Sequence, residues 1–187
     1  FSQEQNHITG INVVLITHEH GDHLHIESLK QVIKNNPDVQ VYTNTATGKL
    51  LDGANIPYIL LEGRDSISIQ GTLIEACDAQ HVEIFEDIGQ VQNTGYFIAD
   101  KLFYPGDAYA NPEKPVEILT LPVAGPWARV ADVIRYARDI NPQRAFPVHD
   151  ALLNEKGIGS QHKHCARELS AKGIDFISMS AGESHEF

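Results

Sequence analysis

The chain has 187 residues, 42% of them hydrophobic and 21% charged, which excludes a disordered or fibrous protein and predicts one globular domain spanning 1–187. Its 25 acidic against 14 basic side chains give a formal charge of -11. Without a Lys/Arg cluster, that charge repels nucleic acid and leaves a small-molecule substrate as the expected partner.

Cys77 and Cys165 are the only cysteines and lie far apart, so no disulfide framework is expected. No basic and apolar leader opens the chain, and no apolar run approaches the roughly 18 residues of a membrane span. The expected setting is cytoplasmic, without membrane contact.

Phe1 to Gly10 is polar and without clear period. Ile11 to Thr17 is β-branched and nearly continuous in apolar character, which predicts a strand buried on both faces. It runs directly into His18-Glu19-His20-Gly21-Asp22-His23. Zinc and similar divalent ions take neutral imidazole nitrogen and carboxylate oxygen, and a short turn lets such groups converge. His18 and His20, two apart, leave extended backbone on the same face and can chelate one ion. Asp22 and His23 follow Gly21, which tolerates a sharp turn toward a second ion.

Ile26, Leu29, Val32 and Ile33 recur at helical spacing up to Asn35-Asn36-Pro37. Val39 to Thr43 reads as a strand, Thr45 to Leu51 as a short helix and Tyr58 to Leu61 as another strand. Asp65–Gln70 and Thr72–Cys77 alternate on either side of Gly71, which predicts a hairpin. His81 falls just past it, and Glu83, Glu86 and Asp87 mark a loop over the site. A second hairpin joins Gly95–Asp100 to Lys101–Tyr104 and ends in Pro105-Gly106-Asp107.

Val116 to Leu121 reads as a buried strand, followed by Pro122 to Trp127. Val130, Val133, Ile134, Ala137 and Ile140 predict an amphipathic helix ending at Asn141-Pro142. Arg144 to Val148 is then a strand delivering His149. Ala151 to Ser160 reads as a Gly-containing loop, His162 to Ala171 as a helix, and Ile174 to Met179 as the last strand. His162, His164 and Cys165 have the composition of a ligand cluster but read as a mixed helix start. His7, His25 and His185 read as surface or supporting residues.

The ordered pattern His18, His20, Asp22, His23 resembles the signature loop of the metallo-β-lactamase superfamily, whose members are mostly dinuclear metallohydrolases. The resemblance implies further ligands in order: His81 in Asp78-Ala79-Gln80-His81, Asp107 in Tyr104-Pro105-Gly106-Asp107, and His149 in Phe146-Pro147-Val148-His149. It implies a four-layer αββα sandwich of the α/β class, with His18, His20 and His81 on one metal, Asp22, His23 and His149 on the other, and Asp107 bridging. Two divalent cations, zinc first and manganese also suited, would share a hydroxide that attacks a carbonyl or phosphoryl centre, with Asp22 orienting it as the catalytic residue. Trp127 is a candidate substrate contact.

Leu121-Pro122-Val123-Ala124-Gly125-Pro126-Trp127 and Pro147-Val148-His149-Asp150 extend the likeness to the small bacterial branch that includes ascorbate-6-phosphate lactonases. That implies a sugar-phosphate lactone or a small phosphodiester as substrate, and a homo-oligomer as the assembly. Relatives begin with extra strands before the segment equivalent to Ile11, so the first sheet is expected to be incomplete here or completed from elsewhere. Two other classes remain open. A diiron-type redox protein would resemble His-x-Glu-x-Asp, and here His20 fills the Glu position. A non-catalytic metal-binding module would not require the full ligand set.

Overall fold

The computed structural model describes residues 4–88, 90–180 and 182–187. Among them, three strands make a small parallel sheet in the order β1-β2-β3: β1 (Val13–Leu15), β2 (Gln40–Thr43) and β3 (Ile59–Leu60). Seven more make the second sheet: β4 (Ser66–Ile69), β5 (Thr72–Gln80), β6 (Gln92–Ile98), β7 (Leu102–Tyr104), β8 (Ile118–Pro122), β9 (Arg144–Val148) and β10 (Asp175–Phe176). Their spatial order is β10-β9-β8-β7-β6-β5-β4, antiparallel from β4 to β7 and parallel from β7 to β10.

Alternation along these strands decides the layering, because neighbouring side chains leave opposite faces. On β1, Val13 and Leu15 join Tyr42, Leu61, Ile74, Ala76 and Tyr96 between the sheets, while Val14 joins Leu29, Val41 and Leu51 behind the first sheet. On β6, Tyr96 faces the first sheet and Phe97 the other side, with Leu119, Val133, Cys165 and Leu169. Helices cover both outer faces: α1 (Ile26–Asn35) and α2 (Thr45–Gly53) on the first sheet, α3 (Val130–Ile140) and α4 (Glu155–Ser170) on the second. Three apolar layers separate four layers of elements, the expected αββα sandwich.

The helix ends have identifiable causes. Asn44 Oδ1 accepts from Thr47 N at 3.0 Å to start α2, and Asn154 Oδ1 accepts from Gly157 N at 2.9 Å to start α4. His25 caps α1, its Nδ1 accepting from Ser28 N at 3.3 Å. Asn141 ends α3 in the left-handed region at φ 52, and Pro142 prevents continuation. No helix among the described residues is long and apolar enough to cross a membrane.

Two expectations need correction. The segment Ile11–Thr17 is shorter and less buried than expected as a strand: only Val13–Leu15 pairs, and although both its faces are packed it is half-buried, because it lies at the edge of its sheet. Apolar runs also form at edges when one face packs on helices and the other on a second sheet, which this run does. The stretch 151–160 is a loop only as far as Asn154. The Asn154 cap starts α4 despite Gly157 and Gly159, because one satisfied cap and a long helix outweigh two unfavourable propensities.

Strand direction sets where chemistry can gather. β5, β7, β8 and β9 all run the same way, so the ends after Gln80, Tyr104, Pro122 and Val148 share one edge, beside the start of β6. The first sheet is tied to that edge by buried polar bonds. The Thr17 carbonyl accepts from Thr94 N at 2.9 Å and from Asn44 Nδ2 at 2.8 Å, and Tyr96 OH donates to the Ile16 carbonyl at 3.1 Å.

Asn44 is fully buried and serves both α2 and this tie. Replacing it by Ala should cost about 2 to 4 kcal/mol in a denaturant titration, since a cap and a buried acceptor are lost together. Lys30→Ala, which removes an exposed ion pair to Glu27, should leave the midpoint unchanged.

Candidate metal centre

β1 gives way at Thr17 to a tight turn in which the His20 carbonyl accepts from His23 N at 2.9 Å and Leu24 N at 2.8 Å. This helical turn brings Asp22 and His23 back toward the sheet ends. Gly21 takes no left-handed backbone here, so the turn comes from hydrogen bonding rather than from glycine's freedom. His81 follows β5, Asp107 follows β7 and His149 follows β9, so all arrive at the shared edge.

The structure brings all seven expected residues together. His18, His20 and His81 offer nitrogens mutually within 4.8 Å, as do the ligand atoms of His18, His23 and Asp107, and those of Asp22, His23 and His149. Around the Asp107 carboxylate, Nε2 of His149 lies at 3.0 Å, of His23 at 3.3 Å, of His81 at 3.4 Å and of His18 at 4.0 Å. The rings pack closely, with centroids 4.0 Å apart for His18 and His23 and 4.6 Å for His20 and His81.

Groups behind the rings decide which nitrogen faces inward. His81 Nδ1 donates to the Val82 carbonyl and His149 Nδ1 to the Ala124 carbonyl, both at 2.6 Å. The Thr17 hydroxyl lies 3.0 Å from His18 Nδ1 and 3.4 Å from His23 Nδ1. Each leaves Nε2 free to face the centre, as ligating imidazoles require. Nε2 of His18, His23, His81 and His149 and Oδ1 of Asp107 are buried without any aligned hydrogen-bond partner. Such a cluster is costly as bare protein, and divalent cations held by those lone pairs would offset that cost. The donor set of imidazole and carboxylate therefore fits zinc or manganese.

The charges of His18, His20 and Asp107 agree with that fit. Burial, then the neighbouring His23, pushes His18 down to about 2, so the ring is neutral and able to ligate. Burial also lowers His20, with His81 adding to the effect. Burial by itself would raise Asp107, but His149, His23 and His81 around it hold the carboxyl well below the usual range. His149 runs the other way. Burial disfavours its charge, yet Asp107 beside it overrides this and holds it up at about 9.

Asp107 is fixed from behind. Its amide donates to Asn93 Oδ1 at 3.0 Å, and Asn93 Nδ2 donates to the Pro105 carbonyl at 2.8 Å. Gly106 sits at φ +66, where an added Cβ would come within 2.2 Å of Asn93 Oδ1. Only glycine fits this approach. Trp127 is buried, its ring 5.8 Å from His81 and 5.9 Å from His149, and so forms a wall of the site. His162 stands outside the cluster and is bonded to Asp150.

Asn44, Asn93 and Thr94 were not singled out by the sequence. Only their pairing partners, far away along the chain, reveal them. The one local signal is Asn44 immediately before a predicted helix.

A two-sheet sandwich with His and Asp residues gathered at one edge defines the class. The family model described as the Beta-lactamase superfamily domain matches residues 2–149, and the chain belongs to this superfamily. Protein Rv0786c of Mycobacterium tuberculosis is 30% identical over 158 residues, covering 82% of this chain and 73% of that protein. A protein of Parabacteroides distasonis described as a metal-dependent hydrolase superposes with a TM-score of 0.72 at 25% identity, covering 93% of this chain and 78% of that one. Igni18, a metallo hydrolase from Ignicoccus hospitalis, shares the fold with a TM-score of 0.72 at 17% identity, over 94% of this chain and 80% of its own.

The raised His149 gives a pH signature. Its folded value of about 9 lies above the ordinary 6.5, so the stabilisation it brings to the metal-free protein is complete below about 6.5 and lost as pH rises through about 9. A cation taken up by His149 would have to displace that proton. Affinity at Asp22, His23 and His149 should rise by about one logarithmic unit per pH unit up to about 9, read by calorimetry in buffers of different ionisation enthalpy.

Proposed function

We propose that the chain is a metal-dependent hydrolase of a small substrate, working with two divalent cations. The observation that carries this reading is the set of five buried ligand atoms without aligned partners that converge around Asp107. His18, His20 and His81 would hold one ion, Asp22, His23 and His149 the other, and Asp107 would stand between them. When bound, the ions supply an acidified water near neutral pH and polarise the electrophilic oxygen.

The residues do the rest. Asp22 is the most exposed member and its Oδ2 lies 3.2 Å from His149 Nε2. Its carboxylate is therefore open to the substrate side, where it can accept a proton from the attacking water and return it to the leaving group. Asp107 stays ionised and supplies fixed negative charge between the two trios. Trp127 closes one wall and limits water entry beside His81 and His149.

The substrate we favour is a sugar-phosphate lactone or a small phosphodiester, in keeping with the likeness of Leu121–Trp127 and Pro147–Asp150 to ascorbate-6-phosphate lactonases. A net charge of -11 disfavours long polyanions, whereas two cations suit a single small anionic group.

The test is metal content of protein purified without added metal, with hydrolysis of lactone and phosphodiester probes. About two zinc or manganese ions per chain are expected. His20→Ala and Asp107→Ala should each lower the content and reduce hydrolysis by about a thousandfold or more. Full metal content in both variants would sink the assignment, and stoichiometric iron with oxygen uptake would replace hydrolysis by redox chemistry.

A further inference from the structure

Helix α4 packs on the outer face of the second sheet, yet two adjacent side chains from it reach the strand ends that carry the site. Gln161 Nε2 donates to the Val123 carbonyl. His162, which is buried, places Nε2 2.9 Å from Asp150 Oδ2 and Nδ1 2.7 Å from Ser178 Oγ. One neutral tautomer satisfies both contacts: Nε2–H donates to the carboxylate, and Nδ1 accepts from the hydroxyl. Phe176 lies edge-on at 5.9 Å and confines the ring.

The two anchored positions flank one candidate ligand. Val123 precedes Ala124, whose carbonyl accepts from His149 Nδ1 at 2.6 Å. Asp150 is the residue after His149. His149 itself sits at φ 65, an uncommon left-handed conformation for an L-residue that neighbouring contacts help to hold. Histidine tolerates that backbone better than most side chains, but it still takes it up in only a small minority of cases. Both ends of the restraint trace to neighbouring residues of α4.

We propose that Gln161 and His162 form a clamp that fixes the ring of His149, with His162 and Asp150 acting as positioning residues and not as ligands. His162 has no free nitrogen to offer an ion, since Asp150 and Ser178 engage both. The clamp acts from both sides: through Asp150 it fixes the backbone after His149, and through Val123 it fixes the carbonyl that orients the ring. This rests on the reading of His149 as a metal ligand.

The test is a stepwise cobalt(II) titration of the metal-free full chain, followed by absorbance and by metal analysis. His20→Ala and His149→Ala identify which step belongs to which trio. Asp150→Ala and His162→Ala are expected to weaken the His149 step by about ten- to a hundredfold while leaving the His20 step as in the parent. Asp150→Asn keeps an acceptor for His162 Nε2–H and should bind within about threefold of the parent. It also controls for folding if His162→Ala is unstable.

Equal weakening of both steps, no weakening in Asp150→Ala, or a loss in Asp150→Asn as large as in Asp150→Ala would overturn the clamp. If His149→Ala leaves both steps unchanged, the ligand reading of His149 has failed and the clamp falls with it. That result differs from the clamp failing alone, in which His149→Ala is impaired and Asp150→Ala is not.

Discussion

Four imidazoles crowd one buried carboxylate at Asp107, and the remainder of the structure is arranged so that they cannot move apart. A bare cluster of this kind is unfavourable, because each buried lone pair has given up water without gaining an aligned partner. Only rigid surroundings keep it open. The carbonyls of Val82 and Ala124 and the hydroxyl of Thr17 turn the rings inward, and these groups lie just past the ends of β5, β8 and β1. The raised proton affinity of His149 and the lowered one of Asp107 are two sides of the same crowding. In the metal-free chain a proton supplies the positive charge that a cation would otherwise bring.

Rigidity across the two sheets comes from polar bonds rather than from apolar packing alone. Apolar contact between Tyr42, Leu61, Ala76 and Tyr96 brings the sheets together but is non-directional. The Thr17 carbonyl, held by Thr94 and Asn44, sets the register between them. The network continues from Thr94 Oγ1 to Asp78 Oδ1 at 2.6 Å, so β5 and β6 share the same anchor as the metal loop. His81 at the end of β5 is thus referenced to His18 at the end of β1, although they lie in different sheets. Such a network is worth its burial because every member is satisfied.

How much of this could be read in advance follows from range along the chain. His18, His20, Asp22 and His23 lie within one short segment, so their convergence is a local property and the spacing discloses it. The amphipathic helix over Val130–Ile140 and the hairpin at Gly71 were legible for the same reason. Asn93 and Thr94 were not, because neither residue type nor spacing distinguishes a buried anchor from an ordinary strand residue until its partner 14 or more positions away is in place. The start of α4 was misread since Gly157 and Gly159 carry a strong local signal, while the Asn154 cap depends on a geometry that forms only once the helix exists. The apolar run at Ile11–Thr17 was read as a strand buried on both faces because periodicity reports which faces are apolar and not how many hydrogen-bonded neighbours the strand has.

The members of the cluster are not held equally, and that inequality gives the centre a direction. His18 and His81 are buried and fixed through Nδ1, and Asp107 is locked by Asn93 and Gly106. Among the described residues, no hydrogen bond restrains the half-buried ring of His20, and Asp22 is exposed. The buried members lie toward the sheets and the looser ones toward solvent. Asp22 is exposed and His20, His23 and His149 are half-buried, so the side of the cluster that faces solvent is the one these four share. A centre held rigidly on every side would bind ions but admit nothing to react, whereas one held loosely throughout would bear no buried charge. This fold grades burial from the strand ends outward, which leaves the carboxylate of Asp22 on the solvent side, paired with His149.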